Sequence, residues 1–177
     1  LTLDVGGTNR TASYFSGSGT TALVFTYTIQ AGETDTNGIS IAANSLALNS
    51  GTIADAAGNA AVITHSAVAN NSAYLVDTTA PTTTVSSVAF SSDTFGTNSS
   101  GTTSDFITKT AAQTISGTLS ANTVSDEVVR ISLDNGSSWN TATNTVGTST
   151  YSFSTTLTAS NTLLVRVEDA AGNFSTA

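Results

Sequence analysis

Cysteine and methionine are absent, proline occurs once, and only four cationic side chains stand against twelve acidic ones. Each scarcity closes a route. Without cysteine there is neither a disulfide framework nor a thiolate metal site, so a small exported β-domain needs another brace, for which a bound cation is one candidate. The cations are Lys109, Arg10, Arg130 and Arg166, and the formal net charge is −8. That balance argues against a surface that tracks phosphates, so no nucleic-acid partner is expected. No apolar run is long enough to span a bilayer, and no signal peptide is evident. The chain opens directly on an alternating segment, Leu1-Thr-Leu-Asp-Val5, so export information is expected to lie elsewhere or in a longer polypeptide. The one histidine, His65, sits in the alternating run Val62-Ile-Thr-His-Ser66 with no nucleophile elbow or zinc-type cluster beside it. A surface strand position is expected for it, and the chain is not expected to be an enzyme. The single lysine leaves room for one Lys–Asn crosslink at most, which is not expected either.

What is abundant points to β-structure. Serine and threonine together make up about a third of the residues, asparagine and glycine are frequent, and long helix formers are scarce. The pentapeptide Asp-Ala-Ala-Gly-Asn occurs at Asp55–Asn59 and again at Asp169–Asn173, each time after an alternating apolar run. Its two settings differ otherwise, so the copies mark equivalent loops of two related modules and the chain is a tandem repeat. With 177 residues, each module is expected to be a sandwich with a modest core of Val, Ile, Leu and Phe.

The boundary falls at the only proline. Residues 1–77 are expected to form the first module, 78–81 a short stiff linker (Thr78-Thr-Ala-Pro81), and 82–177 the second module. Aligning the modules by their loops matches Leu1-Thr-Leu-Asp4 with Ile131-Ser-Leu-Asp134, where Asp134-Asn-Gly136 is a hairpin signal. Both segments are expected to be third strands. Earlier strands in the second module are expected around Thr83–Phe90 and Gln113–Leu119, and a final strand in the first over Ala73–Asp77. On this alignment the first module lacks its opening strands and the second its closing one.

Several strings together carry a family resemblance. Leu3-Asp-Val-Gly-Gly7, Gly17-Ser-Gly-Thr-Thr-Ala-Leu23, Ala31-Gly-Glu-Thr-Asp-Thr-Asn-Gly-Ile39 and Val76-Asp-Thr-Thr-Ala-Pro81 follow one another in the first module. The second carries Thr114-Ile-Ser-Gly-Thr-Leu-Ser120, Ser132-Leu-Asp-Asn-Gly-Ser-Ser-Trp139 and Val165-Arg-Val-Glu-Asp169. In this order and spacing the chain resembles the bacterial immunoglobulin-like repeats of giant secreted adhesins, of the repeats-in-toxin and biofilm-associated types. The resemblance implies an all-β fold of two tandem immunoglobulin-like sandwiches. It also implies an extracellular location at the bacterial cell surface and a role as a spacer rigidified by calcium. The partners it implies are neighbouring modules of the same chain or identical subunits.

In such sandwiches the acidic loops gather at the poles. Glu33, Asp35 and Asn37 from the first module, Asp77 from the linker, and Asp126, Glu127, Asp169 and Asn173 from the second are expected to converge on calcium, which takes six to eight hard oxygen ligands. Asp55 and Asn59 are weaker candidates, since they would face a preceding module. Glu33-x-Asp35-x-Asn37-Gly38 resembles half of an EF-hand loop, but no glutamate stands at the twelfth position and no helix flanks it. Asp-Ala-Ala-Gly-Asn also reads as a tight turn in which Asp caps backbone N–H groups and Gly supplies positive φ. Two other functions stay open. One is a subunit of a self-assembling extracellular filament joined by strand complementation. The other is a ligand- or carbohydrate-binding module, which needs an exposed aromatic patch such as one around Tyr14 and Phe15. Trp139 is expected to pack on the hairpin or in the core. The Asn-x-Ser/Thr triplets at Asn9, Asn70, Asn98, Asn135 and Asn173 are expected by chance in such a composition.

Overall fold

A computed structural model describes residues 1–94, 102 and 104–175; Asn98 lies outside them. Among the described residues there are thirteen β-strands and no helix, so the chain is all-β. It divides into two compact units, Leu1–Thr79 and Ala80–Ala177, the cut falling inside the 78–81 segment.

In the second unit, β7 (Val85–Phe90), β8 (Ala112–Leu119), β11 (Thr143–Asn144) and β12 (Thr150–Thr156) form a four-stranded sheet in the order β11-β12-β8-β7. A three-stranded sheet runs β10-β9-β13, from β9 (Val128–Ser132), β10 (Asn140–Thr141) and β13 (Leu164–Glu168). Every pairing is antiparallel. Alternation explains why these residues form strands. Gln113, Ile115 and Leu119 of β8 are buried while Thr118 between them is exposed. Ile115, Val129, Ile131 and Val167 have no exposed surface and, with Leu119, Ala142 and Tyr151, make one cluster supplied by both sheets. The two sheets therefore close on a shared apolar core, the arrangement of a β-sandwich. The expected strands around Thr83–Phe90 and Gln113–Leu119 are β7 and β8, and the Asp134-Asn-Gly136 segment turns the chain from β9 toward β10, with Asn135 and Gly136 both at positive φ.

The first unit is built on shorter pairings. β1 (Thr2–Val5) and β2 (Thr8–Thr11) form a hairpin closed by Gly6 and Gly7 at positive φ, where the Asp4 carboxylate accepts the Gly7 N–H at 2.7 Å. The other edge of β1 meets residues 40–45: Asp4 bridges Ser40, and the Thr2 N–H donates to the Ser45 carbonyl at 3.1 Å. Residues 41–44 pair in turn with 65–68, and Ala54 bridges Ala60 around the first Asp-Ala-Ala-Gly-Asn loop. β3 (Ser13–Ser16) pairs with β4 (Val24–Thr26), and β5 (Thr34–Asp35) with β6 (Val76–Asp77). The core here is thin. Its buried apolar residues are Val5, Ala12 and Val76, beside the buried Glu33 and Asp35.

The final strand expected over Ala73–Asp77 shrinks to Val76–Asp77, because the preceding residues turn on Asn71: its carbonyl accepts the Tyr74 N–H and its side chain the Ala73 N–H. Tyr74 and Leu75 stay exposed. Ala61–Thr64 likewise forms no strand; the Ala61 N–H reaches the Ile53 carbonyl, and Val62 points into solvent.

Candidate cation-binding loops

The two Asp-Ala-Ala-Gly-Asn loops have the same geometry. Asp55 Oδ1 accepts the N–H groups of Ala57 and Asn59, both at 2.9 Å, and its Oδ2 accepts Asn59 Nδ2 at 2.8 Å. Asp169 repeats this with Ala171, Asn173 and Asn173 Nδ2, each at 2.9 Å. In both loops the Asp N–H donates to the Asn carbonyl and the Gly N–H to the Asp carbonyl, which requires a backbone with φ +90° at Gly58 and Gly172. The loops differ in setting: Asp55 is exposed, while Asp169 is buried. The bonds from the Asn59 side chain and amide, with those of Ala57 and Gly58, outweigh desolvation and hold the Asp55 carboxyl below its ordinary range.

In the first unit Glu33 and Asp35 lie on the buried side of the β5–β6 ladder. Strand alternation turns Thr34 and its partner Asp77 the other way, where Thr34 Oγ1 and Asp77 Oδ1 stand 3.5 Å apart. Asp77 also accepts the Thr79 N–H at 3.0 Å. Burial opposes ionisation of Asp35, but the amides of Gly6 (2.9 Å), Asn37 (3.1 Å) and Gly38 (2.7 Å) outweigh it and keep the carboxyl below its usual value. Asn37 contributes its backbone to this turn and its residue is exposed. Gly6 is forced by the close approach: a Cβ there would lie 2.0 Å from the Thr34 carbonyl oxygen. Glu33 carries the denser set of bonds. Its Oε1 accepts Arg10 Nε and the Tyr27 hydroxyl, and its Oε2 the Gln30 N–H. The Tyr27 and Gln30 bonds, with the Arg10 guanidinium, lower the Glu33 pKa; burial and the neighbouring Glu33 raise that of Tyr27.

In the second unit the register Glu168↔Val128 puts the Asp126–Glu127 turn and the Asp169–Asn173 loop at the same end of the β9–β13 pair. Asp126 is exposed, whereas Glu127 is buried and its Oε2 accepts the Val124 N–H at 3.1 Å. Among the described residues no group of three or more Asp, Glu, His or Cys side chains comes together. Asp55, Asp169 and Glu127 are met by donors of their own loops, whereas Asp35 also takes the Gly6 N–H from the β1–β2 turn and Glu33 takes Arg10 and Tyr27. Hydrogen bonding of buried carboxylates is what their desolvation demands.

Two clusters escaped the sequence reading. Arg10–Glu33–Tyr27 is one, and because its members come from separate segments no local sequence signal marks it. The other is the Arg166 guanidinium, held between the rings of Trp139 and Phe174 at 3.9 and 4.1 Å from their centroids while Nη2 donates to Glu168 at 2.6 Å. Trp139 thus packs beside the β9–β10 turn. His65 accepts the Ser45 N–H on Nε2 at 3.0 Å, which leaves Nδ1 to donate to the Ser66 carbonyl at 2.8 Å. Tyr14 and Phe15 are exposed, at 52% and 70% of their surface. Among the described residues no helix is long and apolar enough to cross a membrane.

Comparison with known proteins finds no matching family model, no matching curated protein and no matching solved structure.

Proposed function

We propose that this chain is a pair of immunoglobulin-like modules from a bacterial cell-surface or secreted adhesin, serving as a structural spacer whose acidic loops bind calcium. The observation that carries the reading is the strand order of the second unit. A sheet ordered β7-β8-β12-β11 facing β10-β9-β13 reproduces, in chain order, strands A-B-E-D over C′-C-F of an immunoglobulin sandwich. After β13 the Asp169–Asn173 loop turns the chain back, and Phe174 bridges Glu168 where strand G of that fold begins. The first unit carries a hairpin β1–β2 like the C–C′ pair and the same loop at Asp55–Asn59 with its Ala54–Ala60 bridge, while the segment that pairs with β1, residues 40–45, lies ten positions before that loop.

Calcium is the ion this donor set suits, because the candidate ligands Glu33, Asp35, Asn37, Asp77, Asp126, Glu127, Asp169 and Asn173, with Asp55 and Asn59, all offer hard oxygens. Affinity at the weak end for extracellular modules, about 10⁻⁴ to 10⁻³ M, would suffice outside a cell. The test is thermal unfolding of the full chain in excess chelator and in millimolar calcium. The melting temperature should rise with calcium concentration as mass action requires. An unchanged melting temperature, or an equal response to magnesium, would refute calcium as the brace.

A ligand-binding module is the second reading, favoured by the exposed Tyr14 and Phe15 on the β3–β4 hairpin.

A further inference from the structure

A histidine side chain stands in for a backbone carbonyl in the first unit. Residues 41–45 and 65–68 run side by side, and at one end Ile41 and Val68 exchange N–H···O=C bonds at 2.9 and 2.8 Å. At the other end the ladder is broken by Asn44, whose φ of +56° lies in the left-handed region that asparagine enters more readily than most residues with a side chain. Its N–H still reaches the His65 carbonyl at 3.2 Å, and its side chain accepts the His65 N–H at 3.1 Å. The next N–H, that of Ser45, donates not to a carbonyl but to Nε2 of the His65 ring at 3.0 Å. The ring's Nδ1 lies 2.8 Å from the Ser66 carbonyl, which can only accept, so Nδ1 carries the proton and Nε2 the free lone pair.

That bond exists only while the imidazole is neutral. A protonated ring donates from both nitrogens, which would set Nε2–H against the Ser45 N–H, donor facing donor at 3.0 Å. The Ser45 hydroxyl, 3.5 Å from Nε2, can turn to accept the new proton, but the Ser45 amide loses its acceptor either way. The surroundings offer the imidazolium no partner. Residues 40–45 and 66–68 carry no ionisable side chain. Of the adjoining segments, β1 carries Asp4, bonded to the Gly7 N–H, and the Leu1 amine, which donates to the Ala12 carbonyl, while the loop 54–60 carries Asp55, bonded within its own turn. Among the described residues no carboxylate forms an ion pair with His65. The ring is half-buried, so solvent protons reach it. Ser45 also offers its carbonyl to the Thr2 N–H at 3.1 Å, so the imidazole bond and the edge of β1 meet in one residue.

We infer that His65 is a pH-sensitive clasp. With a neutral ring it closes the 41–45/65–68 ladder at Ser45; protonation opens that end and loosens the seam with β1 at Thr2, while the Ile41–Val68 end and the second unit stay closed. Histidine changes charge between about pH 5 and 8, so the bond is present above that window and lost as pH falls through it. Glu33, Asp35 and Asp55 are held below the ordinary carboxyl range and stay charged there, which separates the clasp from acid loss of those carboxylates. The clasp needs no metal and is independent of the spacer role.

The test uses the isotope-labelled full chain in excess chelator, followed by NMR from about pH 8 to about pH 5. At the alkaline end the ring nitrogens should report the Nδ1–H tautomer, and the Ser45 amide should be protected from hydrogen exchange. As the ring titrates, the Ser45 amide resonance should move along the same curve and its protection factor should fall at least about tenfold, with Thr2 following. Gly6 and Gly38, bonded to Asp35, and the β8 and β9 amides should keep theirs. A chain carrying His65→Gln, whose side-chain oxygen accepts at any pH, should show no such step. The inference is overturned by the Nε2–H tautomer or an unprotected Ser45 amide at the alkaline end, by protection at Ser45 that is indifferent to the ring's titration, or by a step that persists in His65→Gln. Protection lost at Gly6 and Gly38 together with Ser45 would refute it as well, since that is unfolding of the unit rather than the opening of a clasp.

Discussion

Substituting Gly117 by alanine should destabilise the second unit more than any change of one methyl group on its surface, and the reason lies in three strands at once. Gly117 of β8 faces Tyr151 of β12 on one side and Val88 of β7 on the other. The Tyr151 ring lies over the glycine, buried to 3% exposure, and its hydroxyl reaches past it to donate to the Ser87 carbonyl at 2.9 Å. A Cβ at position 117 would sit 1.9 Å from that same carbonyl oxygen and 2.6 Å from the tyrosine hydroxyl. Relief requires β7 to move off by more than about 1 Å, since unstrained heavy-atom contacts lie near 3.5 Å, or the tyrosine to leave. Losing the hydroxyl bond while the hydroxyl stays buried costs about 1 to 3 kcal/mol, and forcing the strands apart adds about 1 to 3 kcal/mol of overpacking strain. We expect Gly117→Ala to cost about 3 to 4 kcal/mol, a large share of the 5 to 15 kcal/mol that holds a typical domain together. Urea unfolding followed by Trp139 fluorescence reads this cleanly, because the only tryptophan lies in the second unit. Tyr151→Phe alone should cost about 1 kcal/mol. The double variant should cost less than the sum, with a coupling of about 1 kcal/mol or more, since removing the hydroxyl clears one of the two close contacts. A Gly117→Ala chain as stable as the parent, or strictly additive costs, would refute this account of the glycine.

The pH dependence of stability should fall off on both sides. Asp134, held down to about 2 by Ser138 and Ser132, is charged in the folded state at pH values where the unfolded chain already takes up a proton; the stabilisation is full above its ordinary carboxyl value and disappears as pH drops from there through about 2. Glu33, Asp35, Asp55 and Asp105 are lowered as well and add to the acid side, whereas burial pushes Tyr151 up to about 12, so its contribution holds below about 10 and is lost between 10 and 12; equilibrium urea titrations from pH 2 to 12 check both limbs, and flat stability below pH 4 would contradict the first. Hydrogen exchange should be slowest at the core residues of β8, β9, β12 and β13 and markedly faster along β1–β4, reflecting seven buried apolar residues in one cluster against three; equal protection in the two units would overturn this.

Much of the second unit was legible because its signals are local and mutually consistent. Alternation over Val85–Phe90 and Gln113–Leu119 marks β7 and β8, and Asp134-Asn-Gly136 marks the turn after β9. The Asp-Ala-Ala-Gly-Asn turn was legible because Asp and Gly each supply one indispensable part of it, a carboxylate acceptor and a positive φ. What the sequence hides are contacts set by register. Nothing near Gly117 announces that a tyrosine 34 positions later will cross it, and nothing near Glu33 announces Arg10. Ala73–Asp77 misleads for a different reason: its alternation is real, but Asn71 offers the backbone a competing turn and wins most of the segment.

The two units therefore stand on different physics despite a shared loop and a shared hairpin. In the second, burial of Ile115, Val129, Ile131 and Val167 supplies the driving force, and polar groups such as Ser132 and Gln113 are accommodated by hydrogen bonds around it. In the first, the most buried positions include two carboxylates, Glu33 and Asp35, whose desolvation is offset only because amides of Gly6, Gln30, Asn37 and Gly38 and the groups of Arg10 and Tyr27 all point at them. Such a network fixes geometry more than it stabilises, since each bond replaces one to water. Apolar area is the missing term in the first unit: Leu23 and Val24 of the β3–β4 hairpin, with Tyr14 and Phe15, stay exposed. It follows that acid should weaken the first unit at its core, through the loss of Glu33 and Asp35 as acceptors, whereas in the second it acts at the Asp134 turn and leaves the apolar core in place.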